Sequence, residues 1–286
     1  MTISPETIAY LGPPGTYSEI AALAAISNQK NSDKVPMQLI PCLTISSVLE
    51  AVKNDHVDWA IVPVENSIEG GVAMTLDTLW RLPDLHIQYE LVLPIRHALI
   101  SQSTNLQNIQ TVITHPQALG QCQLWLHDYL PHAEQVSSNS TTEALDKLKT
   151  NPELAVIGSE RAAELYNIPI LYKSINDHPD NKTRFWVIKH NKNFSEQVGI
   201  MTSLAFSLPQ NIPGALLRPL QVFADQEINM SRIESRPTKK SAGTYVFFID
   251  LEHPQYKRLP NSIVMVLQEI CETLKILGSY CRIELQ

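Results

Sequence analysis

The chain has 286 residues, 44% of them hydrophobic and 18% charged, with 22 Lys+Arg against 29 Asp+Glu for a net charge of −7. That length supports about two domains with proper cores. The composition excludes bulk disorder, and the acidic balance argues against a nucleic-acid binder, which carries a basic surplus. No apolar run approaches the ~20 residues of a membrane-spanning helix, and the opening Met-Thr-Ile-Ser-Pro-Glu lacks the regions of a signal peptide. Cys42, Cys122, Cys271 and Cys281 form no CxxC pair and no zinc-spaced cluster with histidine. Free thiols in a cytoplasmic, metal-free protein are expected.

In chain order, short apolar runs alternate with helical patterns. Residues 8–11 read as a buried strand, followed by a Gly-Pro-Pro-Gly turn and an Ala-rich helix over 18–26. Strands are expected at 37–40 and 59–64, with helices at 46–54 and 72–82. Residues 86–100 form a long extended stretch, read as two strands that cross between lobes. Short strands at 112–113, 135–136 and 155–157 precede helices at 116–129, 142–149 and 159–166. This repetition predicts α/β architecture, with parallel sheets covered by helices on both faces. Residues 190–199 read as a polar linker. Beyond it Leu204, Phe206 and Leu208 alternate as a strand, while Leu216, Leu217, Leu220 and Phe223 share a helical face. Strands at 230–235 and 244–251, a second amphipathic helix opened by Pro260, and alternating Cys281, Ile283 and Leu285 complete a β-α-β-β-α-β order. That order fits a ferredoxin-like sandwich.

Several strand-to-helix turns carry capping chemistry: Thr16-x-x-Glu19, Ser140-x-x-Glu143, Asn66-x-x-Glu69 running into Gly70-Gly71, and His115-Pro116. In α/β sheets such turns gather at the carboxyl ends of the strands, where ligands bind. Their free amides favour anions. There is no GxGxxG, no Walker loop, no GxSxG elbow and no HExxH. The richest stretch runs from Asp177 through Asn181, Thr183 and Arg184 into the apolar Phe185-Trp-Val-Ile. Thr183 supplies a hydroxyl, and the Arg184 fork can hold a carboxylate by two hydrogen bonds. From the residues alone, a solvated turn fits that stretch equally well.

Together these segments resemble the prephenate dehydratase family over nearly the whole chain. The resemblance rests on Tyr10-Leu-Gly-Pro-Pro-Gly-Thr-Tyr-Ser18, Val62-Pro-Val-Glu-Asn-Ser-Ile-Glu-Gly70, Thr114-His-Pro-Gln-Ala118 and Asn181-Lys-Thr-Arg-Phe185. Downstream, Gly214-Ala-Leu216 and Glu234-Ser-Arg-Pro237 resemble the GAL and ESRP motifs of the family's regulatory ACT domain. The family implies a two-lobed catalytic domain over 1–191, similar to type II periplasmic binding proteins, with lobe 1 at about 1–82 and 176–191 and lobe 2 at about 83–175. It implies an ACT domain over 200–286, control by phenylalanine, and assembly into a homodimer or homotetramer. No helical segment of about 90 residues precedes Leu11, so the fused chorismate mutase of some relatives is not expected.

The implied reaction takes prephenate to phenylpyruvate with loss of water and carbon dioxide, driven by aromatisation and needing no cofactor. By the resemblance Thr183 is the hydroxyl beside the leaving group and Arg184 the anchor of a substrate carboxylate. Thr16, Ser18, Asn66, Ser67, Ser140 and Thr141 would add donors, and His115, Gln117 and Phe185 would line the cleft. Glu65 and Glu69 read as helix caps or as proton donors. Gly214, Ala215, Leu216, Asn229, Glu234 and Ser235 would contact the effector. Two departures stand out: Pro14 replaces a residue that is often polar in the family, and the stretch 210–213 lacks the usual basic residue. The alternatives are arogenate dehydratase, which shares the motifs, and a non-catalytic amino-acid sensor, which would not need the Thr183 hydroxyl. Residues 1–191 hold 12 Lys+Arg and 20 Asp+Glu, while the remainder holds 10 and 9. A dicarboxylate substrate therefore meets the acidic part of the chain, and its recognition must be local rather than long-range.

Overall fold

The computed structural model describes residues 5–29, 36–138, 141–191, 198–239 and 243–286. The chain begins with β1 (Glu6–Leu11), α1 (Tyr17–Gln29), β2 (Met37–Cys42), α2 (Ile45–Lys53), β3 (Trp59–Asn66), the short β4 (Gly70–Gly71), α3 (Ala73–Arg81) and β5 (Leu85–Pro94). It continues with β6 (Ala98–Ile100), β7 (Thr111–Thr114), α4 (Pro116–Gly120), α5 (Gln123–Tyr129), β8 (Glu134–Ser137), α6 (Thr141–Leu148), β9 (Leu154–Gly158), α7 (Glu160–Tyr166) and β10 (Ile170–Tyr172). The last elements are β11 (Lys182–His190), β12 (Met201–Ser207), α8 (Leu217–Asp225), β13 (Asn229–Pro237), β14 (Tyr245–Glu252), α9 (Asn261–Ile270), β15 (Thr273–Tyr280) and β16 (Arg282–Glu284).

Three sheets form. Lobe 1 has the order β16-β5-β11-β3-β1-β2 with β4 beside β3, lobe 2 has β10-β6-β9-β7-β8, and the last sheet has β13-β14-β12-β15. The first two are mixed rather than parallel, because the chain passes between lobes on extended segments. β5 leaves lobe 1 and β11 returns to it, and β11 runs antiparallel to both β3 and β5. The extended stretch after Leu82 is indeed two strands, one in each lobe. The lobe boundary moves accordingly. β5 belongs to the lobe 1 sheet, so lobe 2 begins near Ala98 rather than residue 83. Most of the expected linker, residues 192–197, lies outside the described residues.

The third sheet is all antiparallel, with α8 and α9 on one face, as expected of the β-α-β-β-α-β order. Strand alternation divides its side chains. Leu204, Phe206, Ile249 and Leu251 pack under the helices. Ala205, Val246, Phe248, Leu277 and Tyr280 instead join Val48, Val62, Leu76 and Trp186 in a core continuous with lobe 1. Each fully buried Val, Leu or Phe among them contributes about 1.5–3 kcal/mol. The chain end corrects a second expectation. Residues 282–284 do not extend the ferredoxin-like sheet but run parallel to β5, lacing the third domain to lobe 1.

Candidate active site

Thr183 and Asn66 face each other across the β3–β11 ladder. Asn66 Nδ2 donates to Thr183 Oγ1 at 2.9 Å and to Asn181 Oδ1 at 2.8 Å. Asn66 Oδ1 accepts from the amides of Ile68 and Glu69, which shapes the turn into β4. Asn66-x-x-Glu69 therefore closes a turn and does not open a helix. Ser67 Oγ sits 3.3 Å from Asn181 Oδ1 and accepts from the Lys182 amide. Asn181 Nδ2 donates to Gln121 Oε1 at 2.8 Å, and Gln121 Nε2 donates to Glu69 at 3.3 Å. His97 Nε2 lies 3.0 Å from Gln121 Oε1, and its Nδ1 lies 3.0 Å from the Tyr17 hydroxyl. Burial pulls the His97 pKa below its usual value against the opposing pull of the Gln121 bond, so the ring is neutral near pH 7. This web joins lobe 1 (Thr183, Asn66, Ser67, Glu69), lobe 2 (Gln121) and the crossing segments (His97, Asn181). Thr183, Asn66 and Asn181 are all buried.

Gln121 and Asn181 were absent from the expected site. The helix expected over 116–129 breaks at Gln121 and Cys122, between α4 and α5, and this break releases the Gln121 side chain into the web. Asp177 holds the break by accepting from the amides of Leu124 and Trp125. Cys122 is buried there, and burial together with nearby Asp177 pushes its thiol up to about 12, so it is no nucleophile. On the far side the lobes touch directly. Ser159 Oγ donates to the Gly15 carbonyl at 2.6 Å, and Arg161 meets Glu19 at 3.3 Å.

Arg184 corrects the sequence expectation. Its Nε and Nη2 donate to Glu90 at 3.1 and 2.6 Å, Nη1 donates to Glu65 at 2.7 Å, and Nη2 reaches Asp250 of β14 at 2.7 Å. The fork is occupied on the face of the sheet opposite Thr183, so it does not anchor a substrate carboxylate. Phe185 is likewise in the core, 1% exposed, with Ile8, Tyr10 and Ala21 beneath α1. Glu65 pairs with Arg184 and caps no helix. Glu69 accepts from Gln121. Thr16 Oγ1 accepts from the Glu19 amide at 3.4 Å, whereas the Glu19 carboxylate turns to the Gly15 amide, so the expected capping box is half formed. Ser18 is buried at the start of α1. His115 caps α4 through its Nδ1, and it and Gln117 are exposed outside the web. Ser140 lies outside the described residues, and Thr141 begins α6.

In the third domain, Gly214 is exposed at φ +80, a left-handed conformation that favours glycine, in the turn before α8. Ala215 and Leu216 follow it, half-buried. Asn229 and Ser235 are exposed on β13. Glu234 points the other way. It pairs with Arg232 at 3.1 Å and packs on Gly71, where an added Cβ would lie 2.0 Å from its carboxylate. The effector residues expected together thus divide between two faces. Among the described residues no three His, Cys, Asp or Glu side chains converge as metal ligands, and no helix is long and apolar enough to cross a membrane.

The fold and cleft define a class: a two-lobed α/β domain, like that of type II periplasmic binding proteins, carrying a ferredoxin-like domain on lobe 1. The family model of prephenate dehydratase matches residues 8–193, and that of the ACT domain matches residues 202–259. The chain is 38% identical over 280 residues to the bifunctional chorismate mutase/prephenate dehydratase of Aquifex aeolicus, covering 98% of this chain and 74% of that protein. It is 36% identical over 280 residues to the prephenate dehydratase of Lactococcus lactis subsp. cremoris, covering 96% of each. The crystal structure of prephenate dehydratase from Arthrobacter aurescens in complex with L-Phe superposes with a TM-score of 0.84 at 34% identity, covering 96% of this chain and 90% of that one. The chain belongs to the prephenate dehydratase family and carries the family's ACT domain.

Proposed function

We propose that the cleft converts prephenate to phenylpyruvate with Thr183 as the proton-donating group. One observation carries this reading. Because Asn66 Nδ2 donates to Thr183 Oγ1, the hydroxyl hydrogen is left for the substrate. The leaving hydroxyl takes that proton as its C–O bond breaks. The electrons of the bond to the ring carboxylate flow into the ring, which becomes aromatic, and carbon dioxide departs. The Asn66 amide stabilises the charge that builds on Oγ1, and a solvent proton restores the hydroxyl. Proton donation of this kind is worth ~10²–10⁴ in rate. With Arg184 engaged elsewhere, the substrate carboxylates fall to hydroxyls and amides: Ser67, Ser18 and the start of α1, where the helix dipole favours anions.

Phenylalanine is the proposed effector, bound by accessible backbone and side chains around Gly214–Leu216, Asn229 and Ser235. The relative solved with L-Phe supports that choice. The edge strand β13 leaves a row of backbone groups for a second copy, which supports a homodimer or homotetramer. A cytoplasmic location is part of the same reading.

The test is an assay of prephenate and arogenate side by side, without added metal or cofactor, with and without phenylalanine. Phenylpyruvate from prephenate, suppressed by phenylalanine, is the expected outcome. Preferential turnover of arogenate would reassign the substrate, and turnover of neither would remove the enzyme reading in favour of a sensor.

A further inference from the structure

Thr183 and Arg184 are consecutive in β11, so they leave opposite faces of the sheet. Across the ladder Thr183 pairs with Asn66 and Arg184 with Glu65. One side of this patch is the Asn66–Thr183 bond in the cleft, and the other is the Glu65–Arg184 ion pair. Behind that pair stand two carboxylates with no solvent exposure, Glu90 of β5 and Asp250 of the ACT sheet. Asp250 accepts from Arg184 Nη2 at 2.7 Å, from Arg232 Nε at 2.8 Å and from Ser203 Oγ at 2.6 Å. Glu90 accepts from Arg184, from Trp186 Nε1 at 3.1 Å and from Arg282 Nε at 2.5 Å. Burial alone would raise the Asp250 carboxyl, but Arg232 and Arg184 outweigh it and hold it below the usual carboxylate range.

The ladder between β11 and β3 slips between Arg184 and Phe185. The residue passed over is Val64 of β3, so the irregularity bends β3 beside the Glu65–Arg184 pair. On the β5 side β11 keeps its register through Thr183 and Arg184, so backbone pairing places the strand, and the occupied fork of Arg184 adds a side-chain restraint on the residue next to Thr183. A misplacement of about 1 Å at a reacting group costs roughly 10²-fold in rate.

We propose that Asp250, acting from the ACT domain through Arg184, is a positioning residue for the Thr183 hydroxyl. The catalytic centre is in this sense completed by the regulatory domain of the same chain. The inference rests on the reading of Thr183 as proton donor, and its test separates the two.

Asp250→Asn keeps the side-chain shape and an acceptor for Ser203 but turns an amide toward Arg184 and Arg232. Asp250→Asn, Thr183→Ala and the double variant of the full chain are compared by steady-state kinetics with prephenate. Asp250→Asn is expected to lower kcat by roughly 10²-fold while KM changes less than about threefold. In the double variant that loss is expected to vanish into the loss from Thr183→Ala, because a misplaced hydroxyl and a missing one do the same damage. Arg184→Lys, which keeps the charge but not the fork, is expected to fall between wild type and Asp250→Asn. Should Asp250→Asn fail to fold, Ser203→Ala carries the same cycle with a several-fold effect. A costly Thr183→Ala combined with an additive or absent effect of the Asp250 change overturns the positioning role alone. A silent Thr183→Ala overturns both readings.

Discussion

Asn66 uses both ends of its amide. Its oxygen fixes the turn that carries Ser67 and Glu69, and its nitrogen orients the hydroxyl of Thr183. Asn66→Asp preserves the turn but exchanges the donor for an acceptor. The Thr183 hydrogen then points into the new carboxylate and away from substrate, and Asn181 Oδ1 loses its donor. Acceptor facing acceptor costs about 1–3 kcal/mol, a loss of a few degrees in Tm. Turnover is expected to fall ~10²–10⁴-fold, the worth of the proton donation. Kinetics alongside a melting curve check this, and full turnover in a folded variant would remove the Asn66–Thr183 bond from the mechanism. Thr183 and Asn66 were legible in the sequence because they sit in distinctive segments at strand ends. Arg184 was misread although the signal was present: in a strand, neighbours face opposite sides, so Thr183 and Arg184 cannot both look into one cleft. Gln121 was not legible, because an apolar periodicity that continues through 116–129 does not show the break that exposes it.

Among the elements, β13 has the same two-sided character, and it separates roles that the sequence had merged. Arg232, Glu234 and Arg236 turn toward lobe 1. Arg236 pairs with Asp77 of α3 at 3.0 and 3.1 Å, and Lys239 also reaches Asp77. Lys275 of β15 holds carbonyls at the end of the same helix, including that of Trp80. Ser235 faces away. The strand thus carries the proposed effector contacts on one side and grips α3 and the Gly71 turn on the other. Binding and coupling are distinct free energies, and the two faces predict distinct phenotypes. Ser235→Ala is expected to weaken phenylalanine binding while leaving the ratio of its Kd with and without a substrate analogue unchanged. Glu234→Ala is expected to leave binding to the free protein within about threefold and to bring that ratio toward one. Calorimetry with and without the analogue distinguishes them, and a ratio unmoved by Glu234→Ala would place the coupling elsewhere. The β-α-β-β-α part of this domain was readable from alternation and helical periodicity, but its last strand is β15, whose first residues read as the end of the preceding helix. The departure of residues 282–284 to the lobe 1 sheet was not readable, since a strand's pattern says that it pairs but not with which sheet.

For the whole molecule, the ACT sheet and lobe 1 share one core and one buried ion cluster, so they are expected to unfold together, and the pH dependence of that unfolding follows from the buried histidines. Burial pulls His97, His253 and His86 below the usual imidazole value, with Gln121, backbone groups near Tyr256 and Asp84 respectively opposing it only in part. In the unfolded chain these rings take up protons as pH drops below about 6.5, while the folded protein resists. The unfolded state then binds more protons, so stability is complete above that value and is lost as pH falls beneath it. Asp250 and Asp77 are shifted below the usual carboxylate range, so their contributions stay constant above about pH 5 and give no slope there. Repulsion from the net charge of −7 works in the opposite sense, easing toward acid. It is long-range and is screened beyond about 8 Å at 0.15 M salt, so the buried rings dominate. The denaturant midpoint at 0.15 M salt is expected to be lower at pH 5.5 than at pH 7.5. Replacing one ring, His97→Gln, is expected to flatten the difference. A midpoint unchanged or higher at pH 5.5 would mean that the imidazoles reach solvent in the folded protein and that the inter-lobe web around Gln121 is open.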